Sequence, residues 1–269
     1  KKSFIMSNAN TENKVAGSAA TEEFSFETPF DVLELPSKGL LYPGRPETVK
    51  VEFLTASDEN ILTSPNLIRS GKVIDVLLQK KIKSTEIPVN QMLVGDRNAI
   101  MIWLRATGYG EMYPVKMVDP VTAEEFETEV DLSSLSTKPL TAQPDENNEF
   151  DFTLPRSKKK IKFKLLTVAD ETSITKKTEA RNKATKSMIS MALTYRLQAQ
   201  ILEIEGNRDP NIISKFIEVI PAYDSLKFRE HSDEIEPGID LEVEVEGPSG
   251  SFRSPFAIGL NFFWPNAGV

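Results

Sequence analysis

Val51-Glu52-Phe53-Leu54-Thr55-Ala56-Ser57-Asp58-Glu59 has a near-echo further along the chain, Phe163-Lys164-Leu165-Leu166-Thr167-Val168-Ala169-Asp170-Glu171. In each, an extended apolar run reaches Leu-Thr, passes two small or apolar residues and arrives at Asp-Glu. A strand delivers the chain to Thr55 or Thr167, whose hydroxyl can cap the next helix. Asp58 or Asp170 then falls at the third helical position, as in a capping box, with its charge at the favourable end of the helix dipole. A strand-to-helix entry used twice predicts a duplicated unit.

A second echo extends the duplication. Asp96 and Gly110 are matched at one constant separation by Asp224 and Gly238. The same separation places Val115 on Val243, Met117 on Val245, Pro120 on Pro248, Val130 on Ile258 and Leu132 on Leu260. The pattern predicts an α+β fold of two diverged copies of a strand–helices–β-ribbon unit. The expected divisions are a flexible, disordered N-terminal arm over 1–27, a first repeat over 28–135, a linker over 136–149 and a second repeat over 150–269.

Composition narrows the function classes. The 269 residues are 39% hydrophobic and 27% charged, within the range of ordinary soluble globular chains. No apolar run approaches the ~20 residues that span a bilayer, so no membrane association is expected. Lys1-Lys2-Ser3-Phe4-Ile5-Met6 lacks the long apolar core of a signal peptide. Without cysteine there are no disulfides or thiolate metal sites, and a cytosolic origin is the default. A net charge of −8 argues against nucleic-acid binding.

Local patterns supply the elements. Phe30 to Leu35 reads as a first strand, leading into the turn-rich loop Pro36-Ser37-Lys38-Gly39-Leu40-Leu41-Tyr42-Pro43. Leu40, Leu41 and Tyr42 there are candidate interface anchors, or else a loop folded back on its own core. Helical spacing marks Lys72 to Ile82. Asp96 is expected to cap a helix through Arg105 that Gly108 and Gly110 stop. Tyr113 to Met117 and Glu127 to Leu132 alternate as a ribbon. Phe150 to Leu154 and Ile161 to Leu166 form a hairpin with the basic tip Arg156-Ser157-Lys158-Lys159-Lys160, read as a solvated turn. One long helix is expected from Asp170 through Met188 and Met191 to Tyr195. Another begins at Asp209-Pro210 with the stripe Ile213, Phe216, Ile217 and Ile220, and Asp224 is expected to cap a last short helix. A second ribbon runs from Leu241 to Val245 and back to Leu260. Phe262, Phe263 and Trp264 close the chain as a cluster packed on the ribbon or offered as a docking patch.

Catalytic signatures are scarce. His231 is the only histidine, and no Gly-x-Ser-x-Gly elbow, phosphate loop or dinucleotide fingerprint occurs. The acidic residues beside it, Asp233, Glu234 and Glu236, read as a solvated turn rather than a metal site. No catalytic, cofactor-binding or metal-binding residue is assigned, and no cofactor is expected.

Leu54-Thr55-x-x-Asp58-Glu59, the run from Leu93-Val94-Gly95-Asp96-Arg97-Asn98 to Gly108-Tyr109-Gly110, Asp131-Leu132 and Phe262-Phe263-x-Pro265 together resemble the T4-type baseplate hub subunit and hub assembly proteins of contractile-tailed phages. The resemblance spans roughly residues 30–265. It implies a non-enzymatic structural or assembly role at the baseplate hub, through contacts with other phage baseplate and tail proteins. It places the chain in the virion tail and, during assembly, in the host cytoplasm, with an oligomer in the baseplate left open. A transient assembly chaperone absent from the mature virion is one alternative, and a hydrolytic enzyme of tail assembly is another. The resemblance also implies Cys-x-x-Cys knuckles near Val118 to Val121 and Glu246 to Ser249. This chain has no cysteine there, so its ribbons must be held by packing instead.

Overall fold

The computed structural model describes residues 27–84, 87–185, 189–258 and 260–263. The expected arm up to residue 26, Met188, Trp264 and Pro265 lie outside the described residues. The fold is α+β, with small antiparallel sheets and helices around one continuous apolar core.

The first half opens with the hairpin β1 (Phe30–Glu34) and β2 (Thr48–Glu52). Three helices follow: α1 (Ala56–Leu62), α2 (Pro65–Ser70) and α3 (Val73–Lys81). Next comes α4 (Val94–Tyr109), the most deeply buried helix, which carries Ile100, Ile102, Trp103 and Leu104 in the core. Phe53 packs on Trp103 with ring centroids 4.8 Å apart. Gly108 does not stop this helix. It is its penultimate residue, pressed against Leu54, and the stop is Gly110 at φ 96°. The ribbon β3 (Met112–Val118) and β4 (Glu125–Asp131) leads to the short strand β5 (Thr137–Lys138).

The second half begins with the hairpin β6 (Phe150–Thr153) and β7 (Lys160–Phe163). The expected long helix is two helices, α5 (Val168–Thr185) and α6 (Ala192–Gln200). The run Ile201 to Ile204 forms β8, which pairs with β7 and completes a three-stranded sheet that the sequence pattern does not announce. Then come α7 (Pro210–Val219), α8 (Ala222–Ile235), the short strand β9 (Gly238–Ile239) and the ribbon β10 (Glu242–Gly247) and β11 (Gly250–Pro255). This ribbon ends at Pro255 rather than Leu260, and α8 is a full helix of 14 residues rather than a short one.

Both Leu-Thr-x-x-Asp phrases make the expected helix entry. The Asp58 carboxylate accepts the N–H and O–H of Thr55, each at 2.8 Å, and Asp170 accepts those of Thr167 at 3.0 and 2.8 Å. Lysines neutralise both: Lys80 and Lys81 reach Asp58, and Lys164 reaches Asp170. The stretch 136–149, read as a linker, is anchored at both ends. β5 pairs with β9, Lys162 binds Asp145 at 2.6 Å, and Arg208 holds Glu149 through two hydrogen bonds of 2.8 and 2.7 Å. The chain terminus is anchored too. The buried Arg105 donates to the Phe262 carbonyl at 3.0 Å, and the Phe262 ring meets Tyr113 at 4.9 Å.

Candidate interaction surfaces

Asp96 and Asp224 do not cap their helices. Leu93 and Pro221 occupy the capping positions, and each aspartate is the third residue of its helix, buried and turned towards a hairpin loop. Asp96 accepts the Ser37 N–H at 3.0 Å, the Ser37 hydroxyl at 2.6 Å and the Tyr42 hydroxyl at 2.6 Å. Tyr42 in turn accepts the Leu93 N–H at 2.8 Å. Burial pushes the Asp96 carboxyl upward, and the donors from Ser37 and Tyr42 oppose that shift. Burial and the adjacent carboxylate push the Tyr42 hydroxyl upward, so it remains a donor.

Asp224 repeats the clamp in the second half. It accepts the backbone N–H of Arg156 at 2.6 Å and of Ser157 at 2.9 Å, both at the tip of the β6–β7 hairpin. Burial raises its carboxyl, but these donors hold it below the usual carboxylate range. Within each clamped loop a lysine takes the left-handed conformation, Lys38 at φ 50° and Lys158 at φ 60°.

The ribbon tips meet directly. Asp119 accepts the Ser249 N–H at 2.8 Å and the Ser249 hydroxyl at 2.8 and 2.7 Å, as well as its own loop's Val121 and Thr122 N–H groups. Burial alone would raise the Asp119 carboxyl. The donor from Ser249 and the loop amides bring it well below its ordinary value. Phe126 and Phe252 stack edge-on behind the tips, 6.0 Å apart. A hydrogen-bonded clasp and two aromatic rings thus join the ribbons at the places where the resemblance implies paired cysteines.

The expected interface residues fall in different settings. Tyr42, Phe262 and Phe263 are buried within the chain, so their rings face its own core; Leu40 and Leu41 are half-buried. Trp264 lies outside the described residues. His231 stacks on Phe152 with centroids 4.7 Å apart and meets Phe163 edge-on. Glu236 turns away to a small pocket with Lys138 and Gly238, where burial and the charge of Asp233 push its carboxyl up to about 7. Among the described residues, no three acidic or imidazole groups converge as a metal site.

Apolar side chains open to solvent lie elsewhere. Val219, Tyr223 and Leu226 are 75%, 49% and 41% exposed around the start of α8, and Met112 is 50% exposed where the first ribbon begins. Between the two ribbons runs a groove of about 690 Å³ bordered by Met112, Glu129, Glu242, Glu244 and Arg253. No described helix is long and apolar enough to cross a membrane.

No curated protein and no solved structure matches the chain. A family model described as T4 bacteriophage base plate protein matches residues 29–249, from the first hairpin to the turn of the second ribbon. The match takes in both aspartate clamps and the Asp119–Ser249 clasp. This chain belongs to the T4 bacteriophage base plate protein family.

Proposed function

We propose that the protein is a non-enzymatic component of the baseplate hub of a contractile tail, acting through contacts with other baseplate and tail proteins. The family match over residues 29–249 carries this reading. The use of the acidic side chains supports it. Asp58, Asp96, Asp119 and Asp224 are all buried, and each is engaged in fixing a helix start, a hairpin loop or a ribbon tip. Groups committed in this way build a rigid body and are not poised for proton transfer. His231 stacks on Phe152 and meets Phe163 edge-on, which supports reading it as a packing residue.

The recurring clamp, the repeated helix entry and the paired ribbons support reading the halves as diverged copies, 28–135 and 150–269, of one unit. Quantitative mass spectrometry of purified phage particles and of tail assembly intermediates tests the functional reading. A fixed copy number in mature tails is expected of a hub component. Presence only in intermediates would make the protein a transient assembly chaperone, and absence from both would overturn the reading.

A further inference from the structure

One interface inside the chain has counterparts that stand open. The first turns of α4 present Val94, Gly95 and Asn98, and Pro237-Gly238-Ile239, just ahead of the second ribbon, lies over them. The approach is so close that a Cβ on Gly95 would sit 1.8 Å from the Pro237 carbonyl oxygen. The corresponding face at the start of α8 is Ala222, Tyr223 and Leu226, all exposed. The segment that corresponds to the cover is Tyr109-Gly110-Glu111, ahead of the first ribbon. It runs into the exposed Met112, and Gly110 and Glu111 are exposed as well. Socket and cover are thus joined once within the chain, and the second socket, with Tyr223 in the place of Gly95, and the second cover both stand open.

Charge divides the two open surfaces in the same sense. The α8 socket lies beneath the hairpin tip held by Asp224, where Arg156, Lys158, Lys159 and Lys160 are exposed. None of these four side chains forms an ion pair with a described carboxylate. The open cover borders the ribbon groove, which Met112 lines. Among the described residues that line that groove five are carboxylates, Glu129, Glu242 and Glu244 among them, and one is a cation, Arg253, which pairs with Asp240 and Glu242.

We propose that a second copy of this chain docks head to tail. The basic tip and the Tyr223–Leu226 face of one copy enter the acidic, Met112-lined groove of the next. Such an interface is heterologous, so it builds a ring if the rotation closes and an open chain if it does not. The net charge of −8 makes whole copies repel. At physiological salt that diffuse repulsion is screened over ~8 Å, whereas charge pairs in contact are screened less. The proposal goes beyond the baseplate reading and does not depend on it.

Sedimentation velocity on the full chain tests it, from about 1 to 100 µM and at ionic strengths of ~0.15 and ~0.5 M. The expected result is concentration-dependent association that weakens at the higher salt. A tip variant, Arg156→Gln with Lys159→Gln and Lys160→Gln, keeps the groove. A groove variant, Glu242→Lys with Glu244→Lys, keeps the tip. Each alone is expected to lower the association constant by about tenfold or more, with an unchanged circular dichroism spectrum because all five side chains are exposed. Mixed together, the two variants retain one intact interface and are expected to form a one-to-one dimer and nothing larger. A wild-type chain that stays monomeric throughout, association that neither set of substitutions weakens, or a mixture of folded variants that stays monomeric would each overturn the proposal. Binding only to a different tail protein would do the same.

Discussion

α4 and α8 carry the same device in opposite surroundings. Each holds a buried aspartate at its third position that clamps the loop of a hairpin from its own half. Along α4 the run Ala99 to Ala106 is buried without interruption, where β9, the turn Leu132–Ser134 after the first ribbon and the terminal turn Leu260–Phe263 pack on the helix. Along α8 only Asp224, Ser225, Phe228, Ser232 and Ile235 are buried, and one face looks into solvent. The clamp therefore does not depend on how deeply its helix lies. What differs is the cover, and residue size follows the cover: glycine at 95 where backbone presses on backbone, tyrosine at 223 where nothing described does.

The largest difference in stability is expected from removing the large side chains one turn or more into each helix. Trp103 and His231 occupy corresponding positions at the separation that relates Asp96 to Asp224. Trp103→Ala, at a site 1% exposed, is expected to cost about 3–5 kcal/mol in denaturant unfolding. His231→Ala loses ring contacts to Phe152 and Phe163 at a half-buried site and is expected to cost about 1 kcal/mol. Equal costs would mean that α8 is as enclosed as α4.

The clamps themselves come next. Asp96→Ala strands two buried hydroxyls and a backbone N–H, and is expected to cost about 3 kcal/mol by the same measurement. Asp224→Ala strands two N–H groups at a hairpin tip that water can reach, for about 1–2 kcal/mol. The Asp224 variant should also loosen the tip, seen as faster amide exchange at Arg156 and Ser157. If exchange there is unchanged, Asp224 does not hold the loop.

Gly95 and Tyr223 sharpen the contrast in cover. Gly95→Ala drives a methyl into the Pro237 carbonyl and is expected to cost about 2 kcal/mol or more, within the range for overpacked sites. Tyr223→Ala removes a side chain that is 49% exposed and should change stability by no more than about 0.5 kcal/mol. A large loss at Tyr223 would mean that the face is already covered.

The smallest effect separates the two helix entries. Burial opposes the charge on Asp58, but Lys80, Lys81 and Thr55 bring its carboxyl down to about 2. A lowered folded-state value stabilises the protein above the unfolded-state value near 4, and that contribution is lost as pH falls from about 4 towards 2. Asp170 is lowered as well, with one lysine rather than two. Thermal melts between pH 2 and 6 should therefore show Asp58→Asn flattening the acid limb more than Asp170→Asn.

Much of this was legible in the residues. The Leu-Thr-x-x-Asp phrase announces both helix entries because a capping box is local and needs only five residues to specify it. The ribbons are legible for the same reason, since alternation is a nearest-neighbour pattern. Asp96 and Asp224 read in the sequence as helix caps, whereas each sits at the third position of its helix and holds a distant loop. Their partners are 59 and 68 residues away in sequence, and spacing carries no such information. A further signal was present: Leu35-Pro36-Ser37-Lys38 recurs as Leu154-Pro155-Arg156-Ser157-Lys158, the two loops that the aspartates hold. β8 follows α6 without a break, so no turn residue marks where helix gives way to strand. The Asp119–Ser249 clasp joins ribbon tips 130 residues apart, and neither tip signals the other. Tyr42 and Phe262 look like surface anchors in the sequence because they follow turn-rich or terminal segments. Their burial depends on Asp96 and Arg105 reaching them across the fold.

If a second copy docks as proposed, assembly covers the open face of α8 and the mouth of the ribbon groove, whereas α4 is sealed from the start. Hydroxyl-radical labelling with mass spectrometry, on the free chain and on tail assembly intermediates that contain it, tests this most directly. Tyr223, Leu226 and Met112 are expected to be labelled in the free chain and protected in the assembly, with Trp103 protected in both. Equal labelling of Tyr223 and Met112 in the two states would contradict it.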